Sequence, residues 1–173
     1  MTQRADTFDL ETLSLRSGEG TRIDVSTRVS LVGLGGQVYE IRSGAVDARV
    51  DISRMSSGFA LRLRFDAPLA GPCMRCLVDS GHVIPVEARE VEQAGETEEL
   101  RSPYVEDFQL DIAAWVRDAL VLALPSRLLC RDDCRGLCPV CGIDLNSVDP
   151  EEHRHERPAD PRWAKLGELK IRE

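Results

Sequence analysis

The chain has 173 residues, 42% of them hydrophobic and 30% charged, and a formal net charge of −8. That length allows one domain with its own core, and the composition is ordinary for a globular protein. It excludes a membrane helix, since no apolar run approaches the roughly 20 residues required, and it shows no basic patch able to grip nucleic-acid phosphates unaided. The opening MTQRADTFDLETL carries acids and no apolar stretch, so it does not read as a secretory signal, and a cytoplasmic location is expected.

The first half of the chain reads as β-structure. RIDVSTRVSL at 22–31 suggests a first strand, and QVYEIR at 37–42 is a short β-branched and aromatic run. AVDARVDI at 45–52 alternates Val46, Ala48, Val50 and Ile52 against Asp47, Arg49 and Asp51. GFALRLRF at 58–65 alternates Phe59, Leu61, Leu63 and Phe65 against Arg62 and Arg64. The intervening RMSSG makes an antiparallel hairpin of these two strands, with cross-strand charge pairs on its outer face. HVIPVEAREV at 82–91 is a further strand that Pro85 pushes toward a sheet edge.

Residues 92–103, rich in glutamate, read as a mobile loop. Between Asp79 and Asp111 ten acids face two arginines, Arg89 and Arg101. A solvated face is the plain reading. A docking surface for a basic partner, centred on Glu96, Glu98 and Glu99, is the sharper one, because opposite potentials steer association. Asp111 then caps a helix through IAAWVRDALVLAL, which Pro125 closes. Its apolar stripe is Ile112, Trp115, Val116, Ala119, Leu120 and Ala123. The cysteine-rich segment follows, then a polar connector, SVDPEEHRHERPADP, and a short amphipathic helix in DPRWAKLGELK that buries Trp163, Leu166 and Leu169. The expected class is α+β: a largely antiparallel sheet, one packed central helix, and a metal-tied C-terminal segment. Residues 1–125 would form the β-rich part with the 111–124 helix, and 126–173 the cysteine-rich part packed on it, as one unit.

CRDDCRGLCPVCG, residues 130–142, holds four of six cysteines. Reducing cytoplasm argues against a disulfide framework. A redox C-x-x-C would need a βαβ setting that neither CMRC nor CPVC has. A cysteine nucleophile would need a partner base, and His82 is the only histidine outside the 153–155 pair. Inert buried thiols would not need C-x-x-C spacing. Metal ligation remains, because two such turns supply the four sulfurs of a structural zinc site. The leading set is Cys73, Cys76, Cys138 and Cys141, although 61 residues separate the pairs. A local set of Cys130, Cys134, Cys138 and Cys141 is its rival, and His153 and His155 extend the choice. Two mixed sites are also open, with Cys130 and Cys134 joined by a histidine. The sequence leaves the assignment open. Zinc contributes roughly 10 kcal/mol or more to such segments at neutral pH, which a region with so few apolar residues needs.

GLGGQ at 33–37 lacks the phosphate-loop pattern, and no carboxylate pair stands out, so the chain does not read as an enzyme and no small-molecule substrate is evident. An arginine set, Arg62, Arg64, Arg75 and Arg135, is the candidate for direct RNA contact, with cross-strand pairing to acids as the competing account.

CMRCL after the hairpin, LDIAAWVRDALVLALP, LCRDDCRGLCPVCGIDLN and the closing DPRWAKLGELK, in that order, resemble the YceD family over about residues 40–173. The resemblance implies a role in synthesis, processing or stability of large-subunit ribosomal RNA. Its partners would be the precursor RNA or a large-subunit ribosomal protein. It implies no catalytic residue. The metal reading at Cys73, Cys76, Cys138 and Cys141 comes from spacing alone.

Overall fold

A computed structural model describes residues 3–93, 100–149 and 151–155. The strands are β1 (Gln3–Arg4), β2 (Thr7–Asp9), β3 (Gly20–Arg28), β4 (Val32–Leu34), β5 (Gln37–Ile41), β6 (Ala45–Arg54), β7 (Gly58–Pro72), β8 (Asp79–Gln93), β9 (Val105–Glu106) and β10 (Gln109–Asp111). One helix, α1 (Ile112–Ala123), follows. The expected α+β class holds: among the described residues the chain is mostly antiparallel sheet with a single α-helix besides a short 3-10 turn at Leu10–Thr12, and four of the six clustered cysteines follow the α-helix while Cys73 and Cys76 precede it.

Strict alternation decides the main sheet. Every second residue of β6 and β7 is buried, from Val46 through Ile52 and from Phe59 through Leu69. A period of two puts those side chains on one face, where burying apolar area drives the layer together. The hairpin between them closes through Met55, whose amide donates to the Gly58 carbonyl at 2.8 Å. β7 is fifteen residues long and extends well past Phe65, where the charged alternation ends. Its continuation, DAPLAGP, still alternates, because Ala67 and Leu69 are buried while Asp66 and Pro68 are exposed. β7 pairs with β8 along its whole length, from Gly58↔Gln93 to Pro72↔Asp79. On its other side it meets β6 and then β5. β8 is therefore an edge strand, which is why Pro85 is tolerated opposite Asp66. β3 pairs with β6, and the short β1 adds a parallel pair with β3.

The inner face is covered by α1, which lies against β8, β3 and β2. The Asp111 carboxylate caps it by accepting from the Ala114 amide at 2.9 Å. Ile112, Trp115, Val116, Ala119 and Leu120 are buried. Ala123, expected on the same stripe, is exposed together with Val121 and Leu122, because the last turn runs past the layer it covers. A small second sheet, β2-β10-β9, leads the chain into the helix. Thr27 is buried, and its hydroxyl donates to the Asp6 carboxylate at 2.9 Å, so no polar atom is orphaned there.

The 92–103 segment is more structured than expected at both ends. Gln93 closes β8, and buried Ser102 donates its amide to Glu92 at 2.8 Å and its hydroxyl to Glu90 at 3.2 Å. Residues 94–99, and with them Glu96, Glu98 and Glu99, lie outside the described residues, as does the expected C-terminal helix with Trp163, Leu166 and Leu169.

The outer sheet face is a lattice of charge. Arg22 and Arg64 both reach Asp51 at 2.6 Å, Arg62 and Arg89 both reach Glu87, and Arg49 reaches Asp24. Arg22 and Arg64 together hold the Asp51 carboxyl below the usual carboxylate range, the Arg22 hydrogen bond acting most strongly. Arg89 and Glu87 lie on the same strand, β8; the others are cross-strand pairs of the kind the alternation implied, with Arg64–Asp51 spanning the expected hairpin. The partners of Arg62 and Arg64 are Glu87 and Asp51, and Asp47 takes no part in these pairs.

Candidate metal centre

The tip of the β7–β8 hairpin is CMRCL, and it folds as a knuckle. The Cys73 amide donates to the Val78 carbonyl at 2.9 Å, and the Leu77 amide donates back to the Cys73 carbonyl at 3.0 Å. This turn aims the two sulfurs the same way, and the Arg75 amide points at Cys73 Sγ at 3.5 Å. The chain returns to this tip after α1. The Met74 amide donates to the Leu128 carbonyl, and the Leu128 amide donates to Met74 Sδ. That crossing carries Cys130 and Cys134 to the knuckle.

The structure therefore groups the cysteines differently from the leading sequence set. Cys73, Cys76, Cys130 and Cys134 form one cluster, with all four sulfurs within 4.8 Å of one another. Cys138 and Cys141 do not join them. They gather with His153 and His155 in a second cluster, also within 4.8 Å. The all-local set 130/134/138/141 is likewise not assembled, and the histidines go with 138/141 rather than with 130/134. The reason is geometric. Cys134 ends one turn, its amide donating to the Arg131 carbonyl, and Cys138 opens another, closed by the Gly142 amide.

Within the first cluster Cys73 Sγ lies 3.8 Å from Cys134 Sγ, and Cys76 Sγ lies 3.6 Å from Cys130 Sγ. Both are far from the ~2.05 Å of a disulfide. Both fit the edge of a sulfur tetrahedron around zinc, which is about 3.8 Å when each Zn–S bond is about 2.3 Å. Cys73, Cys76 and Cys134 are buried, and Leu129 and Leu137 pack against them.

Four thiols this close cannot all ionise together unaided, since each thiolate raises the pKa of the others. Burial pushes the Cys73 thiol up, but the amides of Cys76, Cys130 and Arg75 outweigh it and bring the thiol down to about 6. Cys130 is exposed overall, yet its sulfur faces the cluster, and desolvation there together with the neighbouring thiols pushes it up to about 12. One ready thiolate, Cys73, beside two reluctant thiols, Cys76 and Cys130, is the pattern of a donor set that a divalent cation completes.

Outer groups brace this set. Arg75 Nη1 donates to the Cys134 carbonyl at 2.6 Å, and the Leu137 amide donates to the Arg75 carbonyl. Gly136 has φ +78° and sits so close that an added Cβ would lie 3.0 Å from the Arg75 carbonyl oxygen. Asn146 Nδ2 donates to Cys134 Sγ at 3.6 Å while its Oδ1 accepts from the amide of Arg135 and from the Arg131 side chain. Sequence reading missed Asn146 and the bracing role of Arg75. The only hint was the asparagine of CGIDLN, four residues past the Gly142 turn.

The RNA candidates are not one surface. Arg62 and Arg64 sit on the outer sheet face in ion pairs, while Arg75 at the hairpin tip and Arg135 in the cysteine-rich segment donate to the carbonyls of Cys134 and Val148. No described helix is long and apolar enough to cross a membrane.

The fold and the clusters together define an α+β protein whose helix-following segment is equipped to be clasped onto a sheet hairpin by metal. The family described as "Large ribosomal RNA subunit accumulation protein YceD" matches residues 61–170, and the chain belongs to that family. It is 35% identical to an uncharacterized protein of Mycobacterium tuberculosis strain H37Rv, over 94% of this chain and 80% of the relative. An uncharacterized protein of Mycobacterium leprae is 32% identical over 94% of this chain and 76% of its own length. The uncharacterized protein YlbN of Bacillus subtilis is 26% identical over 80% of this chain and 81% of its own. No solved structure matches the chain significantly.

Proposed function

We propose that the protein is a non-enzymatic ribosome-biogenesis factor that supports synthesis, processing or stability of large-subunit ribosomal RNA. It does so by binding an assembly intermediate or a basic ribosomal protein, and it holds zinc at Cys73, Cys76, Cys130 and Cys134. Membership of the YceD family, whose description names large ribosomal RNA accumulation, carries this reading. Zinc is favoured over harder cations because an all-thiolate set at these spacings suits a borderline-soft tetrahedral ion. Its role is structural: four closed ligands leave no open position for a substrate.

A protein partner is favoured over bare RNA by the sheet. Arg22, Arg49, Arg62, Arg64 and Arg89 are all engaged by carboxylates, so RNA would have to displace those acids before its phosphates were neutralised. The net charge of −8 adds to that cost.

Deleting the gene should lower the ratio of large- to small-subunit ribosomal RNA, and the tagged protein should co-sediment with large-subunit precursors. A normal ratio together with absence from precursor fractions would overturn the reading. A gel shift of precursor RNA at low salt separates the routes: retardation by the purified protein alone would favour direct contact through the arginines.

A further inference from the structure

The second cluster is built as carefully as the first, but from different materials. CPVCG repeats the hairpin's knuckle: the Cys138 amide donates to the Ile143 carbonyl at 2.8 Å, and the Gly142 amide returns to the Cys138 carbonyl at 2.8 Å. Cys141 Sγ lies 3.5 Å from His153 Nε2, and His153 Nε2 lies 3.1 Å from His155 Nε2. Around a tetrahedral zinc with ordinary bond lengths, a sulfur–nitrogen edge is about 3.6 Å and a nitrogen–nitrogen edge about 3.3 Å. Two imidazole nitrogens of the same kind converging on one point, beside two knuckle sulfurs, are what an ion requires. Two solvated histidines would gain little from that arrangement.

The setting differs too. Three of four ligands in the first cluster are buried, and they come from chain segments 54 to 61 residues apart, joined across the sheet. In the second, Cys141 and His155 are exposed, His153 is half-buried, and all four ligands lie within residues 138–155, on no strand or helix. Among the described residues, the hydrogen bonds of 151–155 go to Asp149, to Cys141 and among themselves.

We propose that Cys138, Cys141, His153 and His155 form a separate, exchangeable zinc site, whose ion can leave and return while the first ion and the sheet stay in place. Its occupancy decides whether the histidine arm is pinned to the CPVCG knuckle. The first ion fastens the fold, and the second acts as a latch that responds to available zinc. This inference shares with the proposed function only the premise that thiolate clusters here take zinc. The ligand sets are disjoint, and no ribosomal role is needed for it.

The test uses the full chain, purified without a histidine tag and loaded with zinc. Elemental analysis should give two ions per chain. A chromogenic chelator, pyridylazoresorcinol, should remove one quickly with the far-ultraviolet circular dichroism unchanged, and the other only after a mercurial has modified the thiols. His153→Ala/His155→Ala should stay folded, hold one ion and lose the fast phase. Cobalt(II) titration of the unaltered protein needs no variant: thiolate charge-transfer absorption from the two-sulfur site should be about half that from the four-sulfur site. Trypsin should cut after Arg154 faster once the latch ion has been withdrawn from the histidine site. One ion in total, release of both in a single phase, or two ions retained by the double variant would each overturn the proposal. If the two-ion behaviour is found while ribosomal RNA ratios are normal on deletion and the protein is absent from precursor fractions, the proposed function fails and this inference stands.

Discussion

Leu77 and Gly142 occupy the same place in two knuckles. Each lies four residues after the first cysteine, each returns its amide to that cysteine's carbonyl, and each has a left-handed backbone, φ +62° and +75°. Glycine adopts that conformation freely; leucine does so at a cost of roughly 1–2 kcal/mol. Leu77 is 53% exposed, so little packing compensates it. Leu77→Gly should therefore stabilise the protein by about 0.5–1 kcal/mol, after the extra freedom of glycine in the unfolded chain is subtracted. Gly142→Ala, where nothing crowds the added Cβ, should destabilise its knuckle by about 1 kcal/mol for backbone reasons alone. Thermal melts of both variants check the pair, and a loss of stability in Leu77→Gly would show that its side chain matters more than its backbone.

Cys134→Ser should cost the first ion and several kcal/mol of stability, since binding free energy at such sites is folding free energy. The wild-type side chain is fully buried, so the substitution also leaves a hydroxyl facing three thiols. Zinc content should fall by one per chain, with the melting temperature falling alongside it. Unchanged zinc content would mean that these sulfurs hold nothing.

Gly136→Ala places a methyl group 3.0 Å from the Arg75 carbonyl oxygen at a position of φ +78°. Strain and overpacking together should cost about 2 kcal/mol. The effect should appear as faster thiol alkylation at Cys134 and Cys76, because the link between Arg75 and Leu137 is what shuts that side.

Acid should loosen the outer sheet face. The Asp51 pKa is lowered in the folded state, chiefly by its bond to Arg22 and then by Arg64. A depressed carboxylate contributes stability that is present above its unfolded value of about 3.9 and is lost as pH falls through the folded value. Asp51→Asn should therefore cost about 1 kcal/mol at neutral pH, typical of a networked but accessible pair. The difference from wild type should shrink once the pH is well below 4. Denaturant titrations at neutral and acid pH give the comparison.

Trp115 is fully buried on α1 and stacks on Tyr104 with ring centroids 6.1 Å apart. Trp115→Ala should cost about 3–5 kcal/mol and leave the chain barely folded at room temperature.

Much of the sheet was legible because alternation is a strong signal where one face is buried and the other charged. Val46 to Ile52 and Phe59 to Phe65 fall where the period of two puts them. The extension of β7 to Pro72 was hidden, since prolines and glycine in APLAGP look like a loop and are tolerated only where partner strands change. The β9–β10 turn was hidden for a related reason. Asp107 and Phe108 both have positive φ, but neither is the glycine that marks such turns. The spacing of the cysteines pointed to groups able to hold a metal ion, but spacing within a pair says nothing about which pairs meet. That depends on where α1 returns the chain, and the Met74–Leu128 crossing that sets it is a tertiary contact between segments with no shared pattern.

The first cluster also imposes an order on biosynthesis. Cys73 and Cys76 leave the translating ribosome long before Cys130 and Cys134, with the whole of α1 in between. Their cation cage can close only after the inner face of the sheet has its cover. A polypeptide aborted before that point presents two bare sulfurs at a hairpin tip beside uncovered apolar strands. An ion held there would thus act as a completion mark for the nascent molecule, separating finished copies from fragments.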